Sequence, residues 1–238
     1  MFYRPSLIDQ ASSGSALGAI ALEFWLSINP LWRIFATSVF LVVVPVFFQA
    51  PLVRWFPGLS LLITGVWFFV GLVLSGHTRT KLWGDILIGF TWTWLAGSIY
   101  WGWFRWEPTI HLPIEAIGLP IVLWCIANRR AVVGSYFYLG SLLGTAITDL
   151  YFYWAGLIPY WRSLMMSPPQ QAADVLHQAL AQVQTLQGVA QAGILLVVLL
   201  MLGALPLEFH RPHWSAFSGA VLSTILVDSL FGLAALLA

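Results

Sequence analysis

The sequence predicts an all-α integral membrane protein, a bundle of about seven transmembrane helices, or six if the fourth apolar run is re-entrant. Three observations carry this. The chain is 60% hydrophobic and only 8% charged, against about 25% charged in water-soluble domains, so it has too few ionic groups to cover a surface facing water. Its apolar residues fall in runs long enough to cross a hydrocarbon core about 30 Å thick. Trp55, Tyr100, Trp101, Trp103, Trp106, Trp154, Tyr160 and Trp161 cluster where run ends would meet headgroups, as an aromatic belt does. The runs leave no room for a separate soluble domain, so residues 1–238 read as one polytopic unit. A net charge of +1 gives no reason to expect nucleic acid. The expected partner is the lipid bilayer. Cys125 is the single cysteine, which excludes an internal disulfide. The polar start, "MFYRPSLIDQASSGS", lacks a basic stretch leading into an apolar core, so no cleavable signal peptide is expected.

Taken in order, residues 16–28, "ALGAIALEFWLSI", are short and carry Glu23, which suits an interfacial helix better than a span. The expected spans are 34–53, 57–76, 86–103, 110–127, 132–158, 189–207 and 216–238. The fourth is the weakest, because a full crossing needs about twenty residues and Pro113 and Pro120 interrupt the run. The basic residues decide for crossing. With seven spans, Arg4, Arg33, Arg79, Lys81, Arg129, Arg130 and Arg211 share one side, against Arg54, Arg105 and Arg162 on the other. That seven-to-three bias is the positive-inside pattern, with the N-terminus cytoplasmic and the C-terminus outside. A re-entrant fourth run would move Arg129 and Arg130 outward and erase it. In the long outer loop, Ser167 can cap a helix over 168–187, and Ala172, Val175, Leu176, Leu180, Val183 and Leu186 recur at helical spacing, with Gly188 as a stop. This amphipathic helix has no Lys or Arg, so it is expected to pack on the protein itself or on a membrane-protein partner.

Two acids inside apolar runs point to function, since an ionised carboxylate at depth must be paired, protonated or wetted. Asp149 shares a helix face with Tyr138, Ser141, Leu142, Thr145 and Tyr153, and lies about nine residues, roughly 13 Å, from the outer end of its span. Asp228 lies in the last span with Thr224 one turn away, and Glu115 near the outer mouth of the fourth. These residues suit a cation or proton pathway, or a polar site for an amine or polar head. The competing reading makes each Asp a hydrogen-bonded pin between helices. Gly140 and Gly144 form a small-xxx-small patch that points to close helix packing. Trp92, Trp94, Trp101 and Trp103 could flank a flat ligand such as a quinone or pigment, although packing explains them as well. Glu208, His210 and His213 in "EFHRPH" offer a weak metal site without regular ligand spacing. No histidine is expected deep in a span, so a buried haem or chlorophyll is not signalled, and the cofactor stays unknown. Enzyme motifs are missing: there is no His-Glu-x-x-His, Gly-x-Ser-x-Gly or phosphate-binding glycine loop.

"GDILIGFTWTWLAGSIYWGWFRWEP", "HLPIEAIGLP" and "GSLLGTAITDLYFYW" together resemble an uncharacterised family of cyanobacterial multi-pass membrane proteins, catalogued as a domain of unknown function. The resemblance covers most of the chain from about the first span onward. It implies a plasma or thylakoid membrane and assigns no catalytic or binding residue. The residues favour a small transporter or ion-conducting protein using Asp149 and Asp228. The alternative is a non-catalytic accessory or assembly factor of a photosynthetic or respiratory membrane complex. A membrane enzyme acting on a lipid or isoprenoid stands third.

Overall fold

The computed structural model describes Trp25 and residues 27–237. The interfacial helix expected at 16–28, with Glu23, therefore lies almost wholly outside the described residues. Among the described residues every element is helical. Helix α1, Pro30–Trp55, starts where the Asn29 side chain accepts the Leu31 N–H at 2.9 Å and Pro30 occupies the first turn. Helix α2, Pro57–Ser75, follows directly. Helix α3, Lys81–Ile99, runs on into a π-helical turn, Tyr100–Phe104. The fourth run is broken into a 3-10 turn at Pro108–Ile110, α4 at His111–Glu115, a second 3-10 turn at Ala116–Gly118 and α5 at Leu119–Ala127. Pro113 and Pro120 each remove a backbone donor, which is why this run does not form one smooth helix. Helix α6, Val132–Trp154, is followed by α7, Ile158–Met166, a turn at Pro169–Gln171, and α8, Ala172–Val183. Helix α9, Leu186–Ala204, tightens into a 3-10 turn, Leu205–Phe209, before α10, Pro212–Leu237.

Among the described residues, five stretches are long and apolar enough to cross a membrane: Pro30–Trp55, Pro57–Ser75, Pro108–Ala127, Leu186–Phe209 and Pro212–Leu237. Helices α3 and α6 are not among them. Both lie inside the bundle, where protein rather than lipid surrounds much of their surface, and they carry buried Ser, Thr and Tyr side chains that lipid would not accept. The main core joins α1, α3, α6 and α10 through Ile34, Ile86, Phe90, Trp94, Val133, Phe137, Ala216 and Ala220. Ile147, Leu195, Leu199 and Val221 form a second cluster that seats α9.

Contacts fix the helix directions. Gly219 of α10 meets Phe35 and Ser38, and Phe231 stacks on Phe47, so α1 and α10 run parallel. Gly140 meets Phe217, Gly144 meets Thr224 and Thr148 bonds Asp228, so α6 is parallel to α10. The start of α6 sits on the start of α3, where Gly134 abuts Gly89 and the Val133 N–H is capped by Asp85 Oδ2 at 3.0 Å. That carboxylate supplies what Ala131, the α6 cap residue, has no side chain to give. The segmented fourth run runs opposite to α3: His111 stacks on Tyr100 and Gly118 abuts Trp92. It thus returns the chain from the far end of α3 to the near end of α6.

A buried polar knot the sequence did not announce ties the first three helices together. Gln49 Nε2 donates to the Trp94 carbonyl at 2.6 Å and to Ser98 Oγ at 3.0 Å, Ser98 and Ser60 hydroxyls lie 2.7 Å apart, and Trp94 Nε1 donates to the Ser60 carbonyl. Interhelical hydrogen bonds of this kind contribute about 0.6 kcal/mol each.

Several boundaries differ from the sequence expectation. The fifth run ends at Trp154, because Gly156, with φ 70°, turns the chain before α7. The outer amphipathic helix is shorter than 168–187. Ser167 closes α7 in an extended conformation rather than opening α8, and Gly188 is no stop. Its N–H is capped by Thr185 Oγ1 at 3.0 Å, so it lies in the first turn of α9. Thr185, with an extended backbone and its hydroxyl oxygen on the Gly188 N–H, is the N-cap that starts α9.

Candidate functional site

Three elements deliver the site. After the π turn, the Glu107 carboxylate accepts the Thr109 hydroxyl at 2.6 Å and the Thr109 N–H at 3.2 Å, which starts the 3-10 turn that carries His111 inward. The Arg162 guanidinium on α7 grips the same carboxylate at 2.8 and 3.0 Å. The Thr109 contacts and then Arg162 pull the Glu107 pKa down from 4.5 to about 2. Trp161 Nε1 donates to the Arg105 carbonyl at 2.8 Å, and its ring meets Trp101 and Phe152 edge-on. Helix α7 is thereby strapped across this end of the bundle.

Beneath the strap, His111 stands between two carboxylates. Its Nδ1 lies 3.0 Å from Asp149 Oδ1, and its Nε2 lies 3.8 Å from Glu115 Oε1, one helical turn along. The ring stacks on buried Tyr100, with centroids 4.1 Å apart and planes 30° apart. Glu115 is buried, and Tyr138 donates its hydroxyl proton to the Glu115 backbone carbonyl at 2.6 Å. The side chains of His111 and Asp149 keep 20% and 15% of their surface exposed, so the pair is shielded yet reachable. Asp149 Oδ2 is buried and has no protein hydrogen-bond partner. A neutral imidazole can donate to only one of the two carboxylates, whereas the protonated ring can donate toward both.

The structure adds detail to the sequence reading. The sequence reading paired no histidine with Asp149, and the structure places His111 Nδ1 beside it. Neither Arg105 nor Arg162 serves Asp149: Arg162 is held by Glu107, and Arg105 Nη1 turns to the Trp101 carbonyl at 3.4 Å. The hydroxyl stripe below Asp149 does not close on it: Tyr138 serves Glu115, Ser141 and Thr145 are half-buried, and Tyr153 is 49% exposed. The missed signal was the pair His111 and Glu115 in "HLPIE", a basic and an acidic group one turn apart.

The other candidates separate. Asp228 accepts the Thr148 hydroxyl at 2.9 Å, and Thr224 is buried against Gly144. Trp94 is in the core, Trp92 lies on Gly118, Trp101 on Trp161, and Trp103 is exposed, so the tryptophans pack separately and frame no slot for a flat ligand. Glu208, His210 and His213 do not converge either: His210 Nδ1 turns to the Glu208 backbone carbonyl at 2.6 Å, and the His213 ring lies on Tyr136. Among the described residues no group of three His, Cys, Asp or Glu side chains is placed to hold a metal ion.

An all-helical fold with apolar helices of bilayer length, enclosing an imidazole between carboxylates, defines a helical membrane protein with a protonatable site. Residues 38–236 match the family described as protein of unknown function (DUF3120), and the chain belongs to that family. No curated protein and no solved structure matches it.

Proposed function

We propose that the protein is a small polytopic transporter or proton-conducting protein whose exchange site is His111 with Asp149 and Glu115. The observation that supports this is one imidazole held between two carboxylates, partly reachable, at one end of an apolar bundle. Buried ionisable groups that serve only as pins gain little from such an arrangement, because a hydroxyl or amide makes the same contact without the cost of a charge. The proposal includes seven crossings, with the N-terminus cytoplasmic and the His111 end outward in a plasma or thylakoid membrane. The alternating helix directions and the seven-to-three basic asymmetry favour that arrangement. Asp228 takes a secondary role, since Thr148 already partners it.

One observation favours the accessory-protein reading instead: the seam between α6 and α10 is closed by Gly140 and Gly144 against Phe217 and Thr224. The test separates the two. Purified protein in liposomes carrying an internal pH dye should dissipate an imposed proton gradient. Asp149→Asn should fold to wild-type level, lose that activity, and fail to complement a deletion strain. Full complementation by Asp149→Asn at wild-type protein level would overturn the transport reading.

A further inference from the structure

Helix α7 lies over the His111 cluster but is held lightly. It has no buried residue, whereas α3 and α6 beneath it each bury many. Its root is fixed, because Ala155 and Leu157, on either side of Gly156, are buried. Gly156 itself turns with φ 70°, and a Cβ on it would meet only Gln182 Nε2, at 3.9 Å. At the other end the chain leaves in an extended conformation at Ser167. Between these ends, α7 is fastened to the site by the Arg162–Glu107 pair and by Trp161 Nε1 on the Arg105 carbonyl. The Arg162 and Glu107 side chains are 45% and 32% exposed, and an ion pair open to water holds weakly. Elements with few buried contacts are the ones that open locally.

The fastenings also touch the site. Rings follow one another from Trp161 to Trp101, Tyr100 and His111, with centroids 5.6, 5.5 and 4.1 Å apart. Arg162 and Thr109 share the Glu107 carboxylate, so letting Arg162 go leaves both Thr109 bonds in place. The turn that carries His111 thus stays capped when the strap lifts. We infer that α7 is a gate that pivots at Gly156, parts Arg162 from Glu107 and Trp161 from the Arg105 carbonyl, and so controls the access of water to His111 and Asp149. The inference deepens the transport reading by naming how its site is regulated, and it rests on the same cluster.

The test uses the full chain in phosphatidylcholine nanodiscs, in a Cys125→Ala background. Glu107→Cys and Arg162→Cys are bridged by a short linker with two reducible disulfides, which fixes α7 down. Diethyl pyrocarbonate, which acylates neutral imidazole, is added at one fixed pH, and each histidine is read by peptide mass spectrometry. His111 should be modified at least about tenfold more slowly in the linked protein than in the same sample after reduction and removal of the reductant, since a locked element cannot open locally. Exposed His177 on α8 should react equally in both. Without any linker, Arg162→Gln should speed His111 modification by up to about fivefold, the range that an exposed ion pair supplies. Equal His111 rates in linked and reduced protein overturn the inference. If the cysteine pair does not fold, Arg162→Gln decides alone, and a His111 rate equal to wild type overturns it. Gated modification without proton flux keeps the gate and removes the transport reading; flux with ungated modification does the reverse.

Discussion

His111 must serve two acceptors with one ring. Replacing it with Ala leaves Asp149 and Glu115 facing each other with no donor between them, and Asp149 already has one unsatisfied oxygen. His111→Ala should therefore lower stability by about 1–3 kcal/mol, read as a fall in the unfolding midpoint in detergent. Glu115→Gln should restore part of that loss in the double variant, because it removes one of the two opposed charges. If the double variant is only the sum of the two singles, the groups are not coupled. Glu107 behaves differently. Its pKa is lowered to about 2, so whatever it contributes is fully present above its ordinary value near 4.5 and is lost as pH falls toward 2. The clamp on α7 should hold from pH 8 to pH 5, as followed by Trp161 fluorescence against an Arg162→Gln control. Any titration of activity within that window must then arise elsewhere.

At the scale of elements, helix contact depends on absent side chains. Gly140 and Gly144 were legible as a small-residue patch, and they do seat α6 on α10. Gly89 and Gly134 were not legible as a pair, because they lie on different helices and only the fold brings them together. A Cβ on Gly134 would overlap the Asp85 carbonyl oxygen, which is backbone and cannot swing aside. Gly134→Leu should cost at least about 1–3 kcal/mol, while Gly58→Leu, with nothing within 4 Å, should be nearly neutral. Comparing their midpoints in detergent checks this; equal loss from both would mean that α3 and α6 do not meet at this seam. The Gln49 knot was hidden for a related reason. A lone Gln in an apolar run gives no sign of whether its partner is a serine on another helix or a headgroup, and only the crossing of α1 with α3 supplies Ser98.

For the whole molecule, composition made the helical class legible, since hydrophobicity and scarce charge leave few alternatives. The site was half legible. Asp149 stood out because a carboxylate in a long apolar run is conspicuous, whereas His111 did not, because it borders a run that prolines break. The direction of that broken run supports the proposed topology. It runs opposite to α3 from Tyr100 to Trp92, and hands the chain to α6 beside the start of α3. Residues 79, 130 and 211 should therefore lie on one side of the membrane, and residue 171 on the other. Single cysteines at these positions in a Cys125→Ala background, treated with an impermeant thiol reagent outside intact cells, should label at 171 and stay shielded at 79, 130 and 211. The assay requires the protein to be in the plasma membrane. If 130 labels while 79 does not, the fourth run fails to cross. The parallel pairing of α3 with α6 could not then hold in the bilayer, and the seven-span arrangement falls with it.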